Sequence, residues 1–321
     1  MNRYFQKILE TIFRLLLNLV YFFKFPYIWR QNKQIISKYN NPIISIIVPI
    51  YKTNINHLKA CIESVTNQSS PNWQLILIDD NSNQSNIDKY LQSLKSNPKI
   101  KILKNSNNLN IVTSTNKGIQ VATGSWVAFL DHDDLLWSSA ISQISKVIKY
   151  NSNIQYIYTD SDKINEQNHH TSPFLKPDFN LSLLHQVNYI NHFSLINRQL
   201  LIKLNNLRPG TNGAQDWDLA LRTSKIIKAE QFFHIPKILY SWRETTTSTA
   251  SKQGMVNNKF NNIAKVQKEI LEFNGIKSAT QTRYLGIWTT NNQLAILPYQ
   301  LYLISLIKNF SFINGSSSTN T

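Results

Sequence analysis

Four residues in a row, Asp131-His132-Asp133-Asp134, follow the apolar run Trp126-Val127-Ala128-Phe129-Leu130. A buried strand that ends in three carboxylates sets a dense negative charge at one edge of a sheet. Carboxylates this close repel one another and raise each other's pKa until a cation neutralises them. Hard divalent ions such as Mg2+ or Mn2+ favour oxygen ligands and bridge a few carboxylates to a substrate's phosphates. The same residues also suit the start of a helix, where Asp serves as a cap or in the first turn. A cap explains one or two acids, so three around a histidine are read first as a metal–phosphate site.

Two more polar groups occupy similar places. Asp79-Asp80-Asn81-Ser82 follows Leu75-Ile76-Leu77-Ile78, and Pro49-Ile50-Tyr51 closes the run Ile43-Ile44-Ser45-Ile46-Ile47-Val48. An acidic pair at a strand end is well placed to hydrogen-bond a ribose or a base. Glycine-rich phosphate loops are missing: the chain has eight glycines and neither a GxGxxG nor a GxxxxGK(S/T) motif. Phosphate charge must then be met by a cation and by Lys or Arg. The single cysteine, Cys61, excludes an intrachain disulfide and fits a reducing compartment. Its spacing from Leu58, Ile62 and Val65 puts it on the apolar face of a helix, as core and not as nucleophile.

These groups need a frame. Apolar runs at 43–48, 75–78, 100–103 and 127–130 alternate with helical patterns near 55–67, 84–95 and 111–122. Continuous β-branched runs mark strands buried on both faces, and the β-α-β-α order predicts a mostly parallel sheet with right-handed crossovers. Ligands of such sheets bind beyond the C-terminal ends of the strands, where the polar groups stand.

At 321 residues the chain has room for one large core with flanking segments, and 42% hydrophobic against 16% charged residues excludes a disordered chain. The formal charge of +16 calls for a polyanionic partner or surface. Nucleic acid is set aside, because no arginine-rich tract, zinc-finger spacing or stacking motif is present. Residues 1–40 carry seven Lys/Arg against Glu10 alone, giving +6, on a segment with a broad apolar face from Ile8 to Phe23. Arg14, Asn18 and Lys24 break that face too often for a spanning helix, and no small-residue cleavage site follows it. Two readings stand: an amphipathic helix lying in an anionic membrane interface, or a helix docked on the protein's own core. A second apolar stretch, 294–313, admits the same pair of readings, and the Ser/Thr/Asn tail 315–321 reads as disordered.

Taken in order, Ser45–Tyr51, Asp79–Ser82, Asn116-Lys117-Gly118-Ile119, Gly124–Asp134 and Gly213-Ala214-Gln215-Asp216-Trp217-Asp218-Leu219 resemble a family 2 glycosyltransferase over about residues 43–250. Tyr158–Lys163, Lys176-Pro177-Asp178, Asn188–His192 and His234-Ile235-Pro236 with Leu239–Arg243 are similar to the bacterial branch that assembles O-antigen and rhamnan-type surface polysaccharides. The resemblance implies an α/β GT-A fold with a Rossmann-like sheet at 41–250; the basic segment at 1–40 and a helical C-terminal extension at 251–314 are expected to flank it. It implies an inverting transfer of a sugar from a UDP- or dTDP-linked donor to a lipid-linked glycan, with Mn2+ or Mg2+, at the cytoplasmic face of the plasma membrane. Two departures stand out: Asn81 replaces the usual Gly of the Asp-Asp-Gly-Ser turn, and Gln215 replaces the Glu of a Glu-Asp pair.

Carried onto these positions, the family's metal motif falls on Asp131, Asp133 and Asp134, with His234 as a further ligand or a structurally paired histidine. Pro49, Tyr51, Asp79, Asp80, Lys117, Asp131, Trp242 and Arg243 would bind the nucleotide-sugar. Asp79 also reads as a turn-former and Lys117 as a solvated helix lysine. Asp216 would be the general base, or a helix cap, or both. Lys176, Asn188 and His192 would line the acceptor side, and Asp160 with Lys163 reads as a structural ion pair. Two other functions fit the charge and the acids less well: a catalytically silent nucleotide-sugar-binding subunit, and a basic membrane- or polyanion-binding protein.

Overall fold

The computed structural model describes residues 44–166, 168–244, 259–276, 279–281 and 287–289. The basic segment 1–40, the stretch 294–313 and the tail 315–321 lie outside the described residues. The first half alternates β1 (Ile44–Ile50), α1 (Ile55–Thr66), β2 (Trp73–Asp79), α2 (Ser85–Ser93), β3 (Ile100–Lys104), α3 (Asn110–Gln120) and β4 (Trp126–Phe129). The second half adds β5 (Leu135–Leu136), α4 (Ala140–Tyr150), β6 (Tyr156–Ile164), β7 (His170–Phe174), α5 (Leu181–Leu184), β8 (Ser194–Asn197), α6 (Arg198–Lys203), α7 (Gln215–Ser224) and β9 (Phe232–Arg243). Beyond them lie α8 (Lys259–Phe273) and a short antiparallel pair, β10 (Thr280–Gln281) with β11 (Trp288–Thr289).

The main sheet runs in the order β3-β2-β1-β4-β8-β6-β9-β5, with β7 paired to β6. β1 is parallel to both β2 and β4, and β2 to β3, as the alternating pattern predicts. The strand order therefore reverses between β1 and β4, which opens a crevice at their C-terminal ends. β8 enters antiparallel to β4 and β6, while β9 runs parallel to β6. β9 is longer than its apolar core Ile238-Leu239-Tyr240 suggests. Trp242 and Arg243, expected just after it, are its last residues, because they pair with Lys163 and Ile164 of β6.

Burial explains the unbroken apolar runs. Ile44, Ile46, Val48 and Ile50 of β1 join one core cluster, with Leu58, Cys61, Ile62 and Val65 of α1, whereas Ile47 joins a second cluster on the other face. Both faces of the sheet are thus covered, and alternation of polar and apolar residues disappears. α3 lies close on the second face. A Cβ added at Gly118 would stand 2.7 Å from Ile47 Cγ2 and 2.9 Å from Ile78 Cδ1, so glycine lets this helix approach the strands. Ile270 and Leu271 of α8 pack into that same cluster with Trp217. No described helix is long and apolar enough to cross a membrane.

Candidate active site

The turn after β2 shows how local sequence builds the site. Asn81 adopts φ +61°, the left-handed conformation for which Gly or Asn is suited. Asp79 is buried, its Oδ1 accepts the Ser82 N–H at 2.9 Å, and its Oδ2 faces Lys104 Nζ at 3.5 Å. It braces the turn. Asp80, also buried, accepts from Asn105 Nδ2 at 2.7 Å and from the Leu109 N–H at 2.8 Å. Lys117 reaches this network by donating from Nζ to Asn105 Oδ1 at 2.8 Å. Asn105 was not among the expected site residues, yet it is the first residue after β3. Inspecting that strand end like the others would have found it.

The three acids after β4 separate into two environments. Asp134 is fully buried, accepting from the Tyr240 hydroxyl and, at 2.7 Å, from the Arg243 N–H. Burial, then the charges of Asp131 and Asp133, hold its carboxyl well above the usual carboxylate range. Asp131 and Asp133 keep side-chain exposures of 40% and 27%. Desolvation, followed by the Asp133 charge, pushes Asp131 up to about 6. With two-fifths of its side chain open to water, it still titrates within reach of solvent. Cys61 supports the loop from below, its thiol donating to the Asp131 carbonyl at 3.4 Å. Burial pushes that thiol far up, as befits core.

Arg243 is buried behind the same loop, donating from Nε to the Asp133 carbonyl at 2.8 Å and from Nη1 to Asn168 Oδ1 at 2.9 Å. It orients the acidic loop. Trp242 lies under Lys163 Nζ, 5.0 Å from its ring centroid. That lysine pairs with Glu244 at 2.8 Å, in place of the expected pairing with Asp160. His234 has Nε2 2.8 Å from Asp160 and Nδ1 3.4 Å from Asp178, its ring stacked on Tyr158. Both of its nitrogens are thus engaged, the structurally paired arrangement. Tyr51 is exposed beside Lys52 at the end of β1.

Across the crevice, Asp216 sits in the first turn of α7, and its Oδ1 accepts the Trp217 N–H at 2.9 Å. The helix begins after Ala214 with no side-chain cap, so Asp216 is a first-turn acid and not the cap. Its Oδ2 accepts from Asn188 Nδ2 at 3.0 Å and from Asn191 Nδ2. Burial raises its pKa above the usual range, opposed by His192 and these hydrogen bonds. His192 lies 3.9 Å from Asp131 and stacks on Tyr240, and burial pushes its pKa down to about 4. Lys176 is only 1% exposed and sits beneath this segment, so it does not meet an acceptor directly.

Asp131 and Asp216 line one cleft that opens to solvent. Pro49 and Leu130 border it at the strand ends, Ile111 and Thr115 line it from α3, and Asn191 and His192 close it. Phe129, Leu207 and Gln215 complete the wall. Gln215 also braces the preceding turn, accepting the Gly213 N–H at 2.8 Å. The cleft brings together two carboxyls of raised pKa, Asp131 and Asp216, with solvent-open Asp133 two residues from the first. Such a set can hold a cation-bound leaving group and a proton acceptor within one cleft. Among the described residues, no three His, Cys, Asp or Glu side chains converge as a ready metal cage.

Residues 45–204 match the family described as Glycosyl transferase family 2. The chain is 37% identical over 213 residues to protein y4gI of Sinorhizobium fredii, covering 66% of this chain and 23% of that protein. It is 31% identical over 212 residues to the O-antigen biosynthesis protein RfbC of Myxococcus xanthus, covering 66% of this chain and 16% of that protein. The chain thus spans between a sixth and a quarter of the length of these relatives. A third relative is the Escherichia coli UDP-Glc:alpha-D-GlcNAc-diphosphoundecaprenol beta-1,3-glucosyltransferase WfgD, 34% identical over 125 residues, covering 38% of this chain and 47% of that protein. The fold matches the S. aureus TarS 1–349 structure in complex with UDP-GlcNAc at TM-score 0.56 and 14% identity, covering 74% of this chain and 68% of that one. The strand order, the strand-end acids and these matches agree: the chain carries a family 2 glycosyl transferase domain on a GT-A fold and belongs to that family.

Proposed function

We propose that this protein moves a sugar from a nucleoside-diphosphate donor to a hydroxyl of a growing cell-surface polysaccharide. The observation that carries the reading is the single cleft that both Asp131 and Asp216 line. RfbC is named for O-antigen biosynthesis, WfgD for a diphosphoundecaprenol-linked acceptor, and a TarS structure holds UDP-GlcNAc. These names support a UDP-linked donor and a lipid-linked acceptor; a dTDP-linked donor, and an acceptor presented at the inner face of the plasma membrane, belong to the same proposal.

The donor set suits a divalent cation. Asp131 and Asp133 are oxygen donors open to solvent whose mutual repulsion a cation would relieve. Mg2+ and Mn2+ ordinarily complete their shells with water and substrate phosphates, so two protein carboxylates suffice. Such a cation would neutralise the leaving diphosphate. Asp134 and Arg243 would hold the loop that carries these two acids. Asp80 would meet the ribose or base, with Pro49 and Tyr51 beside it, and Lys117 would act through Asn105.

Asp216 would accept the proton of the acceptor hydroxyl, its raised pKa bringing it closer to neutral pH. The hydroxyl oxygen bonds to the anomeric carbon from the side opposite the diphosphate. The bond from that carbon to the phosphate oxygen breaks, its electron pair leaves with the diphosphate, and configuration inverts.

The test is calorimetric titration of the full chain with UDP and with dTDP, with and without Mn2+. Binding that needs Mn2+ and is lost in Asp133→Ala is expected. Asp216→Asn should keep that binding while transfer falls by about 100-fold or more, the usual range for a lost general base. No binding of either nucleotide to folded protein would sink the nucleotide-sugar reading, and transfer by Asp216→Asn near the wild-type rate would sink the base assignment.

A further inference from the structure

The segment Asn188–His192 lays two amides on Asp216, and its backbone is gripped from beneath by a side chain shielded from solvent. The amino group of Lys176 donates to the carbonyl of Ile190 at 2.9 Å and to that of His192 at 2.6 Å. Those carbonyls flank Asn191, whose amide donates to Asp216 Oδ2. The Lys176 backbone N–H donates to Asp160 Oδ1 at 2.8 Å, and Asp160 also meets His234 Nε2 at 2.8 Å. Lys176 is therefore tied to β6 and β9 at its backbone and to the 190–192 segment at its tip.

Burying an amino group costs several kcal/mol unless its hydrogens find partners, and an apolar side chain would fill the space without that cost. What lysine adds is a pair of N–H bonds to two carbonyls separated by one residue. Burial pushes its pKa down to about 7. The neutral amine still has two hydrogens for the two carbonyls, so the grip survives loss of the charge.

We propose that Lys176 is a positioning residue for the transfer reaction: through the carbonyls of Ile190 and His192 it fixes Asn191 and with it the Asp216 carboxylate. Its kinetic consequence rests on the glycosyl-transfer reading above, whereas its structural consequence rests on packing alone.

The experiment compares the full wild-type chain with Lys176→Met by amide hydrogen exchange, by UDP and dTDP calorimetry with Mn2+, and by nucleotide release. The release assay uses UDP-GlcNAc, UDP-glucose or dTDP-glucose, whichever the wild-type chain consumes. Amides of 188–193 should exchange about tenfold faster or more, while those of β1 and β2 stay within about twofold. kcat should fall about 30-fold or more, with nucleotide Kd and donor KM within about threefold of wild type. Unchanged exchange at 188–193 overturns the proposal, as does a kcat within about threefold of wild type. A loss of nucleotide binding in step with kcat overturns it too, because that marks general collapse. If wild-type protein consumes no donor, the glycosyl-transfer reading fails by itself and hydrogen exchange alone decides the role of Lys176. Should Lys176→Met not fold, Lys176→Gln is measured in its place, and wild-type exchange at 188–193 in that variant overturns the proposal.

Discussion

Residues of one type diverge here according to what faces them. Asp133 and Asp134 are neighbours, but Asp134 spends its oxygens on Tyr240 and Arg243 while Asp133 stays open to solvent. The same contrast separates Lys104, half exposed at a strand end, from Lys176, sealed beneath the 190–192 segment. Lys176 makes a signed prediction. Its folded pKa lies near 7 and its unfolded pKa near the ordinary lysine value of 10.5. Between these values the unfolded chain binds the extra proton, so this group makes stability rise with pH from about 7 to about 10.5. Denaturant midpoints measured across that range should climb less steeply in Lys176→Met than in wild type. Equal slopes would show that the lysine folds with an ordinary pKa. Little of this was legible in the chain. The acids after β4 announce a charged strand end, but the partners of Asp134 lie more than a hundred residues away. Those of Lys176 arrive from a separate segment.

At the scale of elements the legible part is larger. The strands β1 to β4 and the helices between them follow from apolar runs and 3.6-residue patterns, because their burial is local and two-sided. The antiparallel entry of β8 and the length of β9 do not follow, since pairing with β4 and β6 sets them, not propensity. Within the legible half, the spacing of α3 from the sheet depends on Gly118. Replacing it with Ala gains about 1 kcal/mol in helix propensity. The new methyl must displace Ile47 and Ile78 in a filled core, and overpacking of this kind costs about 1–3 kcal/mol. We expect Gly118→Ala to be destabilised on balance, by about 1 kcal/mol, which lowers the melting temperature by about 2–4 °C in a domain of this size. Because α3 also carries Lys117 and lines the cleft with Ile111 and Thr115, nucleotide affinity should drop as well. A melting temperature equal to or above wild type would mean that the strands yield without cost.

Across the whole molecule, charge and topology point the same way. The cleft gathers residues from β1, β4, α3 and α7 and the loops between them, and on the proposed reading its acids would take a cation before they meet a diphosphate. Outside that crevice the chain is strongly basic, with +6 of its +16 concentrated in residues 1–40. Basic residues near an anionic lipid surface contribute about 1 kcal/mol each, an attraction that fades within a Debye length and weakens with salt. An apolar face from Ile8 to Phe23 adds a salt-insensitive share if it enters the interface. The two readings of this segment therefore separate experimentally. Membrane contact predicts that the full chain sediments with vesicles containing anionic phosphatidylglycerol far better than with neutral ones. It also predicts partial release by high salt and loss of sedimentation when residues 1–40 are removed. Docking on the protein's own core predicts equal, weak sedimentation with both vesicle types and a lower melting temperature on truncation. A lipid-linked acceptor lies in the membrane plane, so an enzyme held there meets it by diffusion in two dimensions. The first outcome would thus join the basic segment to the cleft as parts of one mechanism.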